Sequence, residues 1–161
     1  MAVLRNPVER AILRYQLMVQ LRKEHRSLEE ALAADERRLD EGRSFEAHAY
    51  DDPNGPARHL TYLERGHYDE QLERWYQCFD SSQLLVLEAR AVTSPDGVRR
   101  VLDFLELPET EVMAPVRFDP CPPVNSGFWT QLSRHFVPHN ERLFHLLGEQ
   151  WDWDGRSIQE G

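Results

Sequence analysis

Apolar side chains recur at the spacing of an α-helix near the start of the chain. One side of such a helix would carry Val8, Ile12, Tyr15 and Val19, which predicts a helix from Pro7 to about Glu24. Pro7 suits the first turn, where its missing N–H would have no helical partner. The apolar stretch just before it, Ala2-Val3-Leu4, predicts the end of a buried strand.

A capping box predicts the next helix. Ser27 can accept a bond from the third helical amide, while Glu30 reaches back to the amide of the serine. This pattern predicts a helix over Leu28–Leu39. The later stretch Asp51–Pro56 is rich in turn-forming residues, and it predicts a surface loop within one domain.

The middle of the chain alternates between helical and strand-like patterns. A helix is predicted by the apolar series Leu72, Trp75, Tyr76 and Phe79. A turn at Asp80–Ser82 then leads to Gln83–Leu87, whose short apolar run predicts a buried strand. Ser94 and Pro95 have the chemistry of a helix start, and the core face of that helix should comprise Val98, Val101, Leu102 and Leu105.

Prolines divide the last third of the chain. Pro108 and the Pro115–Pro123 region should interrupt regular structure. A short helix that ends before Pro138 is predicted by Phe128, Leu132 and Phe136. A final helix should end at Gly148, with a core face of Leu143, Phe144, Leu146 and Leu147.

Strands that alternate with helices indicate an α/β fold with a parallel sheet. The pattern shows only two strands, which make a poor core, so we expect further strands to be missing. A chain of 161 residues suits a single domain. We place this domain at residues 1–154 and a flexible tail at 155–161.

Composition narrows the class of protein. The net charge of −9 argues against a nucleic-acid partner, because phosphate backbones require a basic surface. The longest apolar run is far shorter than the ~20 residues of a membrane span, and no signal peptide is visible. We therefore expect a soluble cytoplasmic protein with no membrane partner, in which Cys78 and Cys121 are free thiols.

Among the side chains that could bind a ligand, Arg5 has the most informative position. It follows a predicted strand and precedes a predicted helix, where helix amides favour an anion and a guanidinium can bind phosphate through two bonds. A structural salt bridge explains the same spacing. The residues alone leave both interpretations open, and they favour the salt bridge.

Other side chains offer less chemistry. His135 and His139 have the spacing of a helical metal pair, but Pro138 between them predicts a helix break, so we predict no metal site. The serines lack the glycines of a nucleophile elbow, and catalytic residues remain unknown. Gly66-His67-Tyr68 predicts the start of an aromatic-rich helix.

Five segments carry a resemblance to a known family. The first is Arg5-Asn6-Pro7-Val8-Glu9-Arg10, an Arg-x-Pro-x-x-Arg pattern at a strand end. The others follow in order as "SLEEAL", "ERGHYDEQLERWYQCFDSSQLLVL", "TSPDGVRRVLDFLELP" and "LSRHFVPHNERLFHLLGEQWDW". Together they resemble the C-terminal part of sulfotransferases, especially the heparan sulfate glucosaminyl branch and its bacterial relatives.

The resemblance implies a fold and a cofactor. It implies the C-terminal part of a P-loop-type α/β domain, helix-rich with few parallel strands, that binds 3′-phosphoadenosine 5′-phosphosulfate (PAPS). The activity implied is transfer of the sulfuryl group to a hydroxyl or amine, with carbohydrate as the family-level acceptor. Arg5 would contact the 3′-phosphate, and Arg117 would stand at the lysine position of the loop that closes over the nucleotide.

The chain also departs from the family pattern. Leu13 stands where a serine usually shares the 3′-phosphate, and Phe118 and Asp119 replace the glycine and arginine of the closing loop. The acid usual after the second strand falls at Ala89, with Glu88 one place early, and such a shift on a strand turns the side chain to the other face.

The glycine-rich loop with its lysine and the usual glutamate or histidine base lie upstream in the family. We therefore expect a truncated or degenerate sulfotransferase domain with weak or no binding of adenosine 3′,5′-bisphosphate. The alternative is a noncatalytic binding or assembly module that acts through a partner chain or by self-association.

Overall fold

The computed structural model describes residues 1–35, 60–108 and 120–153. These residues divide into two compact units. The strand unit takes its described residues from Met1–Asn6, Tyr68–Pro120 and Val137–Gly161, and the helical unit takes them from Pro7–His67 and Cys121–Phe136. The main elements are β1 (Ala2–Leu4), α1 (Pro7–Gln20), α2 (Leu28–Ala33), α3 (Tyr68–Tyr76), β2 (Val86–Glu88), α4 (Pro95–Phe104) and α5 (Ser126–Leu147).

The strand unit contains the sheet. β1 and β2 pair in parallel, with Ala2 opposite Val86 and Leu4 opposite Glu88, which confirms the predicted parallel arrangement. Within the described residues the sheet has these two strands alone. Its core is built by residues from α3, β2, the second half of α5 and the chain after it: Tyr68, Leu72, Val86, Leu143 and Trp153.

The helical unit packs around α1. The buried residues of its core are Val8, Ala11, Ile12, Met18, Ala31, Leu32, Tyr62, Leu132 and Phe136. Val19, predicted to be in this core, is 42% exposed, because the buried stripe passes through Met18 instead. α1 also ends at Gln20, short of the predicted Glu24, and Arg22 then adopts a left-handed backbone with φ of 55°.

The capping box at Ser27 is confirmed, since both of its reciprocal bonds are present. α2 is described as far as Ala33, and Asp35 follows it as a buried residue. The predicted helix end at Leu39 and the predicted loop at Asp51–Pro56 lie outside the described residues.

The predicted core face of α3 is partly wrong. Leu72 is buried as expected, but Trp75 and Phe79 are 53% and 44% exposed and stack on each other with ring centroids 5.4 Å apart. The strand is also shorter than predicted. Ser81–Gln83 forms a 3-10 turn capped by Asp80, so β2 begins only at Val86.

α4 begins as predicted but packs differently. The Ser94 hydroxyl accepts a bond from the Gly97 amide at 3.1 Å, and Pro95 occupies the first turn. The predicted core residues are half-buried or, at Leu105, 52% exposed. The buried residue of α4 is Gly97, where a Cβ atom would lie 1.8 Å from the carbonyl oxygen of Ala91.

The predicted break at Pro138 is wrong, because α5 is one helix from Ser126 to Leu147. An internal proline removes one helical bond and costs roughly 3 kcal/mol. Burial offsets this cost on both sides, with Phe136 and Leu143 almost fully buried. The predicted end at Gly148 is confirmed, and its φ of 66° suits a helix C-terminus.

Neither Cys78 nor Cys121 forms a disulfide bond in the described residues. Across the three described ranges, no helix combines the length and the apolar character that crossing a membrane requires.

Candidate functional site

Arg5 lies at the edge of the sheet where ligands bind in many α/β folds. Parallel strands end at the same edge, and the crevice outside their carboxyl ends is the usual ligand site. Leu4 ends β1 opposite Glu88, and the Ala89 amide donates a 2.7 Å bond to the Leu4 carbonyl. Arg5 is therefore the first residue beyond the paired part of β1.

The backbone around Arg5 is held by two buried side chains. The Tyr68 hydroxyl donates to the Arg5 carbonyl at 3.0 Å. The side-chain amide of Asn6 donates to the Trp153 carbonyl at 2.7 Å. The rings of Tyr68 and Trp153 pack edge to face, with centroids 6.1 Å apart. All three side chains belong to residues less than 9% exposed. The half-buried Arg5 side chain thus extends from a fixed backbone, which suits a guanidinium that binds an anion.

Glu88 is committed to the local turn. Its carboxylate accepts bonds from the amides of Arg90 and Ala91, at 2.7 and 3.1 Å. These bonds close the 3-10 turn that follows β2. Ala89, where the resemblance leads one to expect an acid, is 4% exposed and has no ionisable group. Neither Glu88 nor Ala89 therefore supplies an acid that a substrate could use.

The resemblance also links the positions of Leu13 and Arg117 to the nucleotide, and the structure describes only the first of them. Leu13 is half-buried on α1, in the helical unit, and brings no hydroxyl. Arg117 lies outside the described residues, together with Phe118 and Asp119. Arg5 is accordingly the one sequence-predicted ligand of the nucleotide whose surroundings the described structure gives.

The strand unit also contains a buried ion-pair cluster that sequence reasoning missed. Asp69 is 1% exposed, and its carboxylate oxygen Oδ2 accepts from Arg142 Nε at 2.7 Å, with Arg142 Nη2 also 2.7 Å away. Nδ1 of His139 lies 3.0 Å from Oδ1 of Asp69. The same Nδ1 lies 3.0 Å from Nη2 of Arg142. Because a carboxylate can only accept and a guanidinium can only donate, Nδ1 bonds Asp69 when it carries a proton and Arg142 when it does not. The cluster ties α3 to the second half of α5.

A signal for this cluster is present in the sequence. Asp69 precedes Leu72 by three residues, so it lies on the apolar face of α3. A carboxylate on a buried face requires a cationic partner, because an isolated buried charge is very costly. The partner could not be chosen from spacing, since it lies 73 residues further along the chain.

An open cavity of about 500 Å³ lies elsewhere in the strand unit. It is bounded by Leu84–Val86 at the amino end of β2, by Tyr76 and Phe79, and by the ion pair of Arg100 and Glu149, whose closest atoms are 2.7 Å apart. Arg5 is not among its described lining residues. The cavity is therefore at the wrong end of the strands to hold a nucleotide against Arg5.

Comparison with known proteins shows a likeness in structure. The chain is similar to the crystal structure of a sulfotransferase from Alicyclobacillus acidocaldarius, with a TM-score of 0.75 and 24% identity. The match covers 95% of this chain and 56% of that one, so the chain spans little more than half the length of that protein. No family model matches the chain, and no curated protein matches it. The chain therefore has a helix-rich α/β fold with a small parallel sheet, similar to the fold of a sulfotransferase.

Proposed function

We propose that this chain takes part in PAPS-dependent sulfuryl transfer and that Arg5 contacts the 3′-phosphate of the nucleotide. The fold similarity supports the family of reaction. The observation that carries the proposal is the position of Arg5, at the carboxyl end of β1 on a backbone held by Tyr68. A guanidinium that extends from a held backbone at this edge can bind a phosphate dianion through paired bonds.

The reaction class sets what this chain has to supply. PAPS supplies an activated sulfuryl group, which passes to an acceptor oxygen or nitrogen with loss of the acceptor proton, and adenosine 3′,5′-bisphosphate leaves. Arg5 would bind and orient the nucleotide, which is a positioning contribution. The proposal includes a P-loop and a catalytic base only because the family has them. The acceptor is likewise a family-level proposal, with carbohydrate as the first candidate.

By the resemblance, the residues at the nucleotide positions fit the 3′-phosphate only in part. Arg5 provides positive charge, but Leu13 has no hydroxyl where the family has a serine that shares the 3′-phosphate. We therefore expect weak binding of adenosine 3′,5′-bisphosphate. The hydroxyl that Leu13 lacks should reduce the affinity by a factor of roughly 10–150, since a bond to a charged group contributes about 1.5–3 kcal/mol.

Isothermal titration calorimetry with two nucleotides tests the role of Arg5. Adenosine 3′,5′-bisphosphate should bind the native protein at least tenfold more tightly than the Arg5→Ala variant. Adenosine 5′-monophosphate lacks the 3′-phosphate, so its affinity should be the same for both proteins. Arg99→Ala is the matched control, because Arg99 is an exposed arginine of the strand unit that pairs with Asp96. Equal affinities of native and Arg5→Ala protein for the bisphosphate would contradict the proposal.

A second candidate function is a noncatalytic binding or assembly module. It is favoured by the buried Ala89, where the resemblance leads one to expect an acid, and by the exposed stacked rings of Trp75 and Phe79. Exposed aromatic residues are enriched at protein interfaces. This function predicts no nucleotide binding at millimolar concentration and concentration-dependent association in sedimentation velocity. Trp75→Ser should then reduce association, whereas a monomer at all concentrations would exclude self-association.

A further inference from the structure

Two histidines of the helical unit face each other at close range. Nε2 of His67 lies 3.0 Å from Nε2 of His135, although the residues are 68 positions apart in the chain. Their ring centroids are 5.2 Å apart, and the ring planes differ by 31°. We propose that this histidine pair binds one divalent transition-metal ion of the copper(II) type, a site that is independent of the proposed sulfuryl transfer.

The separation of the two nitrogens fits two ligands of one metal ion. Imidazole nitrogen lies roughly 2.0–2.1 Å from a bound first-row ion. With the nitrogens 3.0 Å apart, both bonds can form when the N–metal–N angle is about 91–97°. Adjacent ligands in a square-planar or tetragonal site meet at about 90°, which is the geometry that Cu²⁺ prefers with nitrogen and oxygen ligands. Water would complete the coordination.

The loop that carries His67 is held firmly. Tyr62 is fully buried, its amide donates to Asp35 at 2.8 Å, and its hydroxyl donates to Glu24 at 3.1 Å. Arg10 donates a hydrogen bond to the Tyr62 carbonyl. This anchor lies five residues before His67, so the ligand comes from a segment with little freedom, as a preorganised metal site requires.

Gly66 and Phe136 set the approach of the two rings. A Cβ atom at Gly66 would lie 2.6 Å from the ring of Phe136, so only glycine lets the loop come this close to α5. Both histidine rings then pack edge to face on Phe136, with centroid distances of 6.0 Å for His67 and 4.9 Å for His135. The fully buried Phe136 ring thus orients both ligands.

The sequence pattern points away from a metal at His135. Pro138 predicts a helix break that would separate His135 from His139, yet α5 continues through the proline. The Gly66-His67-Tyr68 segment predicts only a helix start. The structure assigns His67 of that segment to a ligand position opposite His135.

Titration with Cu²⁺, in a buffer containing glycine as a weak competitor, tests the site. We expect one tight Cu²⁺ per chain, with nitrogen hyperfine splitting from two imidazoles in the electron paramagnetic resonance spectrum. His67→Ala and His135→Ala should each weaken Cu²⁺ binding at least tenfold and remove one nitrogen from the spectrum. His145→Ala is the matched control, because His145 is an exposed histidine of the same helix. Binding should also weaken in acid, since protons compete for the ligands.

Three outcomes would overturn the proposal: unchanged affinity in His67→Ala, equal loss in His145→Ala, or a spectrum without imidazole nitrogen. Circular dichroism with a chelator present checks that the variants fold. If an alanine variant does not fold, His67→Gln and His135→Gln replace it, because an amide keeps polarity but is a poor copper ligand. Retained tight binding in both glutamine variants would also overturn the proposal.

Discussion

Replacement of Asp69 tests whether the buried ion-pair cluster stabilises the strand unit. Asp69→Ala removes a carboxylate that is 1% exposed and leaves Arg142 and His139 without their common acceptor. A bond to a charged group contributes about 1.5–3 kcal/mol, but the Arg142 side chain is 51% exposed, so solvent can replace much of that contact. The His139 side chain is only 14% exposed, so solvent can replace less of its contact with Asp69. We expect a loss of about 2–4 kcal/mol in the free energy of unfolding.

Thermal and urea unfolding measure this loss. For a chain of this size, 1 kcal/mol changes Tm by roughly 2–4 °C, so Asp69→Ala should lower Tm by roughly 4–16 °C. Glu73→Ala is the control, because Glu73 is an exposed acid of the same helix. It should cost about 0.5 kcal/mol or less. A double-mutant cycle with Arg142→Ala isolates the pair. A cost below about 0.5 kcal/mol for Asp69→Ala would refute the reasoning.

Two further predictions concern single positions. Gly97→Ala should cost about 3 kcal/mol, since its Cβ would lie 1.8 Å from the Ala91 carbonyl oxygen, which cannot move without displacing backbone. Gly127→Ala, which meets only a side-chain oxygen at 3.2 Å, is the control in urea unfolding, and equal stability of the two variants would contradict the clash. Bonds from the amide and the hydroxyl of Ser27 lower the pKa of Glu30. The charged form is therefore favoured in the folded state, so Glu30→Gln should be less stable than the native protein near neutral pH. The difference should disappear as the pH falls through the lowered pKa; a difference that persists in strong acid would show that the charge is not involved.

Local signals predicted the starts of helices well. Ser27 and Ser94 accept the predicted capping bonds, and Pro7 begins α1. These features depend on a few neighbouring residues, whose geometry is the same in any fold. The position of Arg5 at the end of a strand was also predictable, because an apolar run before a proline-initiated helix is local information.

The buried faces of the helices were less predictable. Met18 is buried where Val19 was expected, and Trp75 is exposed although it shares the helical spacing of Leu72. Periodicity shows that a helix has an apolar side, but neighbouring elements decide which part of that side is covered. Pro138 is a clear case, since the intrinsic preference to end a helix is overcome by burial of Phe136 and Leu143.

The amino-acid sequence by itself determined the helix starts and the two strands, and through a resemblance it predicts that Arg5 contacts a nucleotide. Only the tertiary structure decided which distant side chains meet: Asp69 with Arg142, 73 residues apart, and His67 with His135, 68 residues apart. The physical reason is that capping and periodicity act over one or two turns, whereas a buried charge or a ligand pair depends on how elements pack. Spacing could indicate that Asp69 needed a partner, but only the packing of α3 on α5 could supply it.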